Sequence, residues 1–416
     1  MANNVVNSVS VGENSANVDG TAALANSQGN TGAITATGGS AVAVTFDATG
    51  GLDPNGVVTS SITLSGNASA SNAVGNQAQN SLTAAGTNVV SGDIGNASID
   101  SDTTDGLTAD AGNLLLSRQT NSAAINSINN VNSVSIGGSA VEGTDTELLD
   151  GAVASGSTLS ITGNTTEARA SANIVLNSSI SLGGASTTTA DATGLIGNFQ
   201  SNDASGAVTA EASTNTAISL NGVAGVEAVN SGSAMVENNS TLALARGNVV
   251  ENVLTAEGTN VSSGVGAASL SASVSPADGV LNASFGVFNE QVQAAAINAT
   301  SVNATYAINA TSGSGDALNG ASAMVGGNSV NATAFGNVAT NRVTLASLNG
   351  VSNDANAALF NGQLNSGSVI SSVSGATIGT FATGGFQTAS VGVSGNTISS
   401  SAVGNFANSI ITRTTR

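Results

Sequence analysis

Apolar and polar residues alternate with a period of two over long stretches of this chain. From Ala68 to Thr83 every second residue, beginning with Ala68, is small and apolar or is asparagine, and most residues between them are serine, glutamine or threonine. Successive side chains of a strand point to opposite faces, so the pattern predicts a β-strand with Ala68, Asn72, Asn76 and Leu82 on its inner face. Helix is disfavoured by the frequent Gly, Ser, Thr, Asn and Val. We therefore predict an all-β chain.

A motif with three asparagines recurs along the chain. Residues 75–89 and 247–261 are identical at ten of fifteen positions, and a wider pattern, Asn-x8-Asn-x3-Asn, occurs in four full copies and a shortened fifth. Glycine precedes the middle asparagine in three full copies and in the shortened one. The asparagines that we predict to be structural are Asn67, Asn76 and Asn80, Asn164, Asn173 and Asn177, Asn239, Asn248 and Asn252, Asn328, Asn337 and Asn341, and Asn396, Asn405 and Asn408.

The modules defined by this motif differ in length. Successive middle asparagines are 97, 75, 89 and 68 residues apart, and we expect the acidic insertions within Ser91–Asn113 and Gly137–Gly156 to be surface loops. Pro54 and Pro276 are the only prolines, and no charged linker divides the chain. We predict one elongated repeat domain, residues 1–416, with modules centred near residues 76, 173, 248, 337 and 405.

The repeats predict an elongated β-solenoid, or β-helix, of irregular Asn/Gly/Ala-rich repeats. A core of Ala, Val and Leu suits narrow coils buried against their neighbours, whereas a β-sandwich needs bulkier inward residues. Low charge density and β-branched residues argue against disorder. Two locations for the recurrent asparagines stay open: amide ladders between stacked strands, and turns, where asparagine tolerates a left-handed backbone.

The composition removes most catalytic chemistry. The chain has no Cys, His or Trp, and all six basic residues are Arg, so thiolate, imidazole and lysine chemistry are excluded. Paired carboxylates such as Glu237 and Glu251 would have to converge in a groove to hydrolyse a glycoside, and aromatic platforms for sugars are scarce. We predict that the chain is not an enzyme, has no catalytic residues and binds no cofactor.

The net charge of -19 and a pI near 4.1 argue against a nucleic-acid partner, which would need a basic patch. Between the carboxylates and the arginines only Tyr306 and the chain termini can titrate, so the surface charge should be nearly constant across environmental pH. Without cysteine, disulfides cannot contribute to stability.

The one weak candidate for a metal site is the acidic group Asp100, Asp102 and Asp105. Its spacing is not that of an EF-hand, and no closing glutamate follows. A solvated acidic loop is the plainer interpretation, and we assign no metal site. A calcium-dependent carbohydrate-binding module remains as an alternative.

The chain shows no basic and apolar leader and no stretch apolar enough to span a membrane. Met1 and Ala2 resemble a start placed on a mature sequence, so we expect that a secretion signal has been removed. The expected location is extracellular, on the outer cell surface.

The segments Gly327–Asn341 and Gly395–Asn405 resemble the repeats of the HfaD type of holdfast anchor protein from stalked alphaproteobacteria. They are more loosely similar to the Asn/Gln repeats of secreted functional amyloids such as curli and FapC. The resemblance implies an exported surface protein that assembles with partner anchor subunits and fastens an adhesive polysaccharide to the envelope.

We therefore expect a structural anchor or adhesin subunit that attaches adhesive material to the bacterial surface. The expected material is polysaccharide. Open solenoid ends expose unpaired strand edges, which favours self-association. The segments Asn3–Val11 and Ser399–Thr412 are the expected contact surfaces. A self-assembling fibre subunit of the functional-amyloid kind is the alternative.

Overall fold

Strands are the regular secondary structure of the residues that the structure describes. The computed structural model describes residues 1–12, 17–38, 43–47, 57–94, 96–99, 106–139, 152–222, 226–264, 268–273 and 279–415. None of these residues is helical, so the prediction of an all-β chain is confirmed. Within the same residues there is accordingly no helix that could cross a membrane.

The strands form a series that recurs along the chain, and we use the word repeat for each recurrence. The first repeat contains β1 (Asn3–Gly12), β2 (Asn17–Asp19), β3 (Ala22–Asn30), β4 (Ile34–Thr37), β5 (Ala43–Asp47), β6 (Val57–Val58) and β7 (Ser61–Ser65). The second contains β8 (Ala68–Ala85), β9 (Asn88–Val90), β10 (Asn96–Ile99), β11 (Gly106–Asp110), β12 (Asn113–Asn121), β13 (Ile125–Ser139), β14 (Ala152–Ser155) and β15 (Thr158–Thr162). The third contains β16 (Thr165–Gly183), β17 (Thr189–Ala192), β18 (Gly194–Asn202), β19 (Val208–Asn221), β20 (Glu227–Asn230) and β21 (Ser233–Glu237).

The later repeats follow the same series. The fourth contains β22 (Ser240–Gly258), β23 (Asn260–Ser263), β24 (Ser269–Ser273), β25 (Gly279–Asn282), β26 (Phe285–Gln293), β27 (Ile297–Val302), β28 (Thr305–Asn319) and β29 (Ser322–Gly326). The fifth contains β30 (Ser329–Ser347), β31 (Ala357–Asn365), β32 (Val369–Ser374), β33 (Thr377–Gln387) and β34 (Ser390–Ser394). The sixth begins with β35 (Thr397–Thr415).

Equivalent strands of successive repeats pair in parallel. Sheet 1 has the order β1-β8-β16-β22-β30-β35, sheet 2 the order β2-β9-β17-β23, and sheet 3 the order β3-β12-β18-β26-β31. Sheet 4 joins eleven strands (β4 to β6, β13, β14, β19, β20, β27, β28, β32 and β33), and sheet 5 has the order β7-β15-β21-β29-β34. The first four repeats pass through sheets 1 to 5 in that order before the chain returns to sheet 1.

The register of sheet 1 places equal motif positions side by side. Asn76 pairs with Asn3 and with Asn173, and Asn337 pairs with Asn248 and with Asn405. Sheet 1 thus has one strand more than the five modules predicted from sequence. The motif includes an asparagine nine residues before the middle one, and the sequence has no residue nine positions before Asn3. The three-asparagine motif therefore does not identify the first strand.

One predicted surface loop is partly a β-sheet. The insertion Ser91–Asn113 contributes β10 and β11, which pair antiparallel with each other. β11 also pairs antiparallel with β24 of the fourth repeat, and β24 with β25, so that sheet 6 has the order β10-β11-β24-β25. Leu107 of β11 is fully buried and packs with Leu116 and Phe288 of sheet 3. The loop prediction was wrong here because it followed the acidic residues and not the apolar ones between them. The acidic parts of both insertions, residues 100–105 and 140–151, lie outside the described residues.

Small and medium apolar side chains fill the interior in columns. Where sheet 1 faces sheet 4, the column is alanine, as at Ala170, Ala245 and Ala334, and all three are buried. Bulkier side chains lie between sheets 3 and 6, where the rings of Phe288 and Phe360 stack 4.6 Å apart, and a second group that includes Tyr306 lies against sheet 4. A layer of small residues lets the sheets approach each other closely, so the interior stays well packed without bulky side chains.

The inner face of β8 changes at Gly75. Ser71 and Ala73 are buried and Asn72 is exposed, although the sequence pattern placed Asn72 on the inner face. From Asn76 onward the burial follows the predicted alternation. The prediction was wrong for the first half of the strand because it assumed an unbroken alternation, whereas Gly75 and Asn76 are both buried.

At this change of face Gly247 and Gly336 lie very close to the next repeat, whereas the third repeat carries the buried Ala172 at the same position. A Cβ atom on Gly247 would lie 2.4 Å from the carbonyl oxygen of Gly336 and 2.1 Å from Oε1 of Gln293. A Cβ atom on Gly336 would lie 2.3 Å from the carbonyl oxygen of Gly404. These separations are shorter than van der Waals contact, so a side chain on Gly247 or Gly336 would force the adjacent repeats apart.

We predict that Gly247→Ala lowers the free energy of unfolding by about 1 to 3 kcal/mol, because overpacking strains the backbone of both repeats. Chemical denaturation followed by circular dichroism measures the change. Gly184→Ala is the control, since no atom lies within 4 Å of a Cβ atom built there. Equal stability losses in the two variants would contradict the packing argument.

Candidate functional site

The first asparagine of each motif forms the corner column, at the connection between sheets 5 and 1. The residue before it has a left-handed backbone, as at Gly66 (φ 66°) and Asn238 (φ 56°). In each repeat both the backbone N–H and Nδ2 of the asparagine donate to Oδ1 of the next asparagine, at 2.8–3.0 Å. The corner column is Asn67, Asn164, Asn239, Asn328 and Asn396. Its side chains thus stack and also lie at a turn.

The second asparagine of each motif forms the middle column inside sheet 1. Each Nδ2 donates to Oδ1 of the asparagine in the next repeat, at 2.7–2.9 Å. The second Nδ2 proton goes across the interior to a backbone carbonyl of sheet 3, for example from Asn76 to Thr120 at 2.8 Å and from Asn248 to Val292 at 2.9 Å. The middle column is Asn3, Asn76, Asn173, Asn248, Asn337 and Asn405.

A glutamine column on sheet 3 faces the middle column. The three-asparagine motif did not predict it. Each Nε2 donates to Oε1 of the glutamine in the preceding repeat, at 2.6–2.9 Å. The other Nε2 proton goes to a sheet 1 carbonyl, at 3.0–3.1 Å. The glutamine column is Gln28, Gln119, Gln200, Gln291 and Gln363.

A sequence signal for the glutamine column exists. Asn26-x-Gln28-x-Asn30 recurs unchanged as Asn198-x-Gln200-x-Asn202 and Asn361-x-Gln363-x-Asn365, and with a change at one end in the second and fourth repeats. The last position of this pattern also stacks, since Nδ2 of Asn30 donates to Oδ1 of Asn121 at 2.7 Å. A search anchored on glutamine as well as asparagine would have found it.

The two facing columns donate in opposite directions along the stack. Nδ2 of Asn173 donates toward the C-terminal repeats, to Asn248, whereas Nε2 of Gln200 donates toward the N-terminal repeats, to Gln119. The amide dipoles of the two columns therefore oppose each other. Each column also donates to the backbone of the other column's sheet, so sheets 1 and 3 are joined by hydrogen bonds from both sides.

The third asparagine of the motif does not form a continuous column. Nδ2 of Asn252 donates to Oδ1 of Asn341 at 2.9 Å, but Asn177 is exposed in a β-bulge with φ of 55°. Ser178 takes the buried position beside Asn252. The ladder interpretation was wrong for Asn177. Its spacing from Asn173 matches the motif, but the bulge adds one residue to this strand, so Ser178 and not Asn177 pairs with Asn252.

The interruption leaves buried polar atoms without partners. Nδ2 of Asn80, Oγ of Ser178 and Oδ1 of Asn252 have no hydrogen-bond partner. In the shortened copy the register places Asn408 opposite Thr340 and Ser409 opposite Asn341, and Asn408 is exposed. The third position is thus the weakest of the three.

The two candidate catalytic carboxylates lie in different sheets. Glu237 ends β21 in sheet 5, Glu251 lies in β22 of sheet 1, and both occupy outward positions of their strands. Asp100, Asp102 and Asp105 lie outside the described residues. Within the described ranges no three acidic side chains are close enough to hold a metal ion.

Tyr306 is a fully buried titratable group of the interior. Burial raises the pKa of Tyr306 above its ordinary value, and its hydrogen bond with Oγ1 of Thr241, 2.6 Å long, offsets part of the shift. The folded chain therefore favours the neutral phenol at pH values where the unfolded chain ionises.

We predict that replacing Asn248 by Ala lowers the free energy of unfolding by about 2 to 6 kcal/mol, because Nδ2 of Asn173 and Oδ1 of Asn337 both lose a buried partner. Asn349→Ala is the control, because Asn349 makes the same amide contact with Asn260 on the exposed surface. Denaturant unfolding measures both. A similar small loss in the two variants would show that the buried column adds no stability.

We predict that stability falls with pH above about 10, where the unfolded tyrosine ionises and the folded one does not. Below that pH the contribution of Tyr306 is fully present, because its folded pKa is the higher one. In Tyr306→Phe this decline should disappear, leaving a constant offset for the lost bond to Thr241. Unfolding free energies from about pH 8 to about pH 11 test this. A decline of the same size in both proteins would exclude Tyr306 as its cause.

The amide columns and the strand order are the features by which the chain can be compared with known proteins. No protein-family model matches the sequence. Searches of curated proteins and of solved structures find no significant match either.

Proposed function

We propose that this chain is an extracellular structural subunit, an anchor or adhesin built as a β-solenoid, that attaches adhesive material to the bacterial surface. Each repeat would be one coil, with sheets 1 to 5 as its walls. The recurrent order of the sheets and the parallel, in-register pairing of equivalent strands support this architecture.

The buried amide columns are the observation that carries the structural role. The middle column and the glutamine column use the chain's interior polar side chains to hold neighbouring repeats together. Such columns stiffen a stack, and their amides are fully occupied by one another and by backbone carbonyls. This arrangement suits a load-bearing part better than an enzyme.

The dimensions favour a subunit that works in a stack. Six strands at about 4.8 Å spacing span about 24 Å across sheet 1, whereas a strand of 19 residues such as β30 is about 60 Å long when straight. A single chain is therefore short in the stacking direction. A long rod would require several copies stacked on one another.

The last repeat presents uncovered core positions. Ile398 and Ile411 pair with Val330 and Val343, which are fully buried, yet Ile398 is 55% exposed and Ile411 is 47% exposed. Val393 has the same relation to buried Val325 in sheet 5. We propose that a second copy of the chain covers this surface, because it supplies strands of matching pattern.

The expected contact segments lie at opposite edges of one sheet. Asn3–Val11 lies within β1 and Ser399–Thr412 within β35, the two outermost strands of sheet 1. Unpaired strand edges favour association with another strand. This favours the second candidate function as well, a self-assembling fibre subunit.

We predict that the purified chain associates with rising concentration and that Ile398→Lys with Ile411→Lys prevents it, because lysine on an uncovered edge opposes strand addition. Analytical ultracentrifugation and electron microscopy measure the association. Leu348→Lys is the control, since Leu348 is exposed but lies outside the strands.

Circular dichroism verifies that each variant retains its strands. Wild-type chain that stays monomeric at high concentration would contradict the stacking proposal. Association that persists unchanged in the double variant would move the contact to a different surface.

A further inference from the structure

An open cavity of about 430 Å³ lies at a bend in sheet 4. The register of β13 on β19 shifts between Asn129 and Asn132. In the next repeat β27 ends and β28 begins, with Asn303 between them at a φ of 51°. The second, third and fourth repeats thus all contribute to the wall of this cavity.

The wall contains buried oxygen atoms without partners. Asn132 is 3% exposed, and its Nδ2 donates to Oδ1 of Asn129 at 2.9 Å, whereas its own Oδ1 has no partner. Oδ1 of Asn130 also has none, while Nδ2 of Asn130 donates to Oε1 of Glu211. A buried acceptor without a donor is costly, so these atoms favour a ligand that brings hydrogen-bond donors.

The other lining groups define the chemistry of that ligand. Ser133, Ser213 and Asn215 add hydroxyl and amide groups that both donate and accept, and Val302 adds one apolar surface. A cluster of hydroxyl groups, each able to donate and accept, matches this set. The carboxylate of Glu211 and the net charge of -19 disfavour an acidic ligand.

A divalent cation fits less well. Glu211 is the only carboxylate in the cavity wall, and calcium sites normally combine several carboxylates with carbonyl oxygens. The Oε1 atom of that carboxylate already accepts a hydrogen bond from Asn130. A cavity of this volume is also in the range of sites for small organic molecules.

We propose that this cavity binds a short segment of a neutral polysaccharide through its hydroxyl groups. The inference rests on the proposed function and identifies where adhesive material would be held. Because the wall is built from three successive repeats about 4.8 Å apart, the sugar chain would run along the stack. Glu211 would accept hydrogen bonds from sugar hydroxyls, with Oδ1 of Asn132 as a second acceptor.

The test is titration of the full chain with cellotriose, maltotriose and N,N′,N″-triacetylchitotriose, followed by calorimetry and NMR. We expect saturable binding of at least one, no binding of trigalacturonate, and a loss of about tenfold or more in affinity for Glu211→Ala. Glu227→Ala is the matched control, because Glu227 accepts an amide hydrogen bond from Asn319 but does not line the cavity.

Three outcomes would overturn the proposal. These are no binding of any of the three neutral oligosaccharides, binding that Glu211→Ala leaves unchanged, and calcium binding that Glu211→Ala abolishes while no sugar binds. Association is measured on the same proteins. A chain that stacks but binds no sugar would refute this site alone, whereas one that binds sugar but does not stack would refute the assembly alone.

Discussion

A buried side-chain amide needs two acceptors and at least one donor; stacking at the spacing of parallel strands supplies one donor and one acceptor, and the facing sheet supplies the second acceptor. At Asn248, Oδ1 accepts from Asn173, and Nδ2 donates both to Asn337 and to the carbonyl of Val292. The amide is satisfied only if the repeats before and after place asparagine at the same position. The fold therefore depends on register, and each repeat stabilises the register of its neighbours.

The amide columns explain how the chain folds with few bulky side chains. The alanine column of Ala170, Ala245 and Ala334 allows sheet 1 to lie close to sheet 4, and Gly247 and Gly336 allow successive repeats to approach at the change of face. Close approach in turn holds the amides at hydrogen-bond distance. Small residues and stacked amides are thus two parts of one packing solution, in which neither works without the other.

Because the interior is occupied by these contacts, binding chemistry is left to the surface. The cavity at the bend of sheet 4 forms where the repeats deviate from regular pairing, at the register shift beside Asn132 and the left-handed Asn303. The uncovered last repeat is the other irregular surface, where the positions of Ile398 and Ile411 lack the next layer. In a protein of stacked repeats, function is expected where the stacking is interrupted.

The local alternation of residues was enough to predict strands. The spacing of the middle asparagines was enough to predict which positions are equivalent: Asn76, Asn173, Asn248, Asn337 and Asn405. Both patterns are properties of the sequence alone. Sequence could not show that Gln200 faces the middle column from another sheet, that Ser71 and not Asn72 points inward, or that a bulge removes Asn177 from its column. Those facts depend on where the chain bends and which sheets face each other. Contacts between residues far apart in sequence decide both, so only the tertiary structure determined which of the many asparagines are buried and paired.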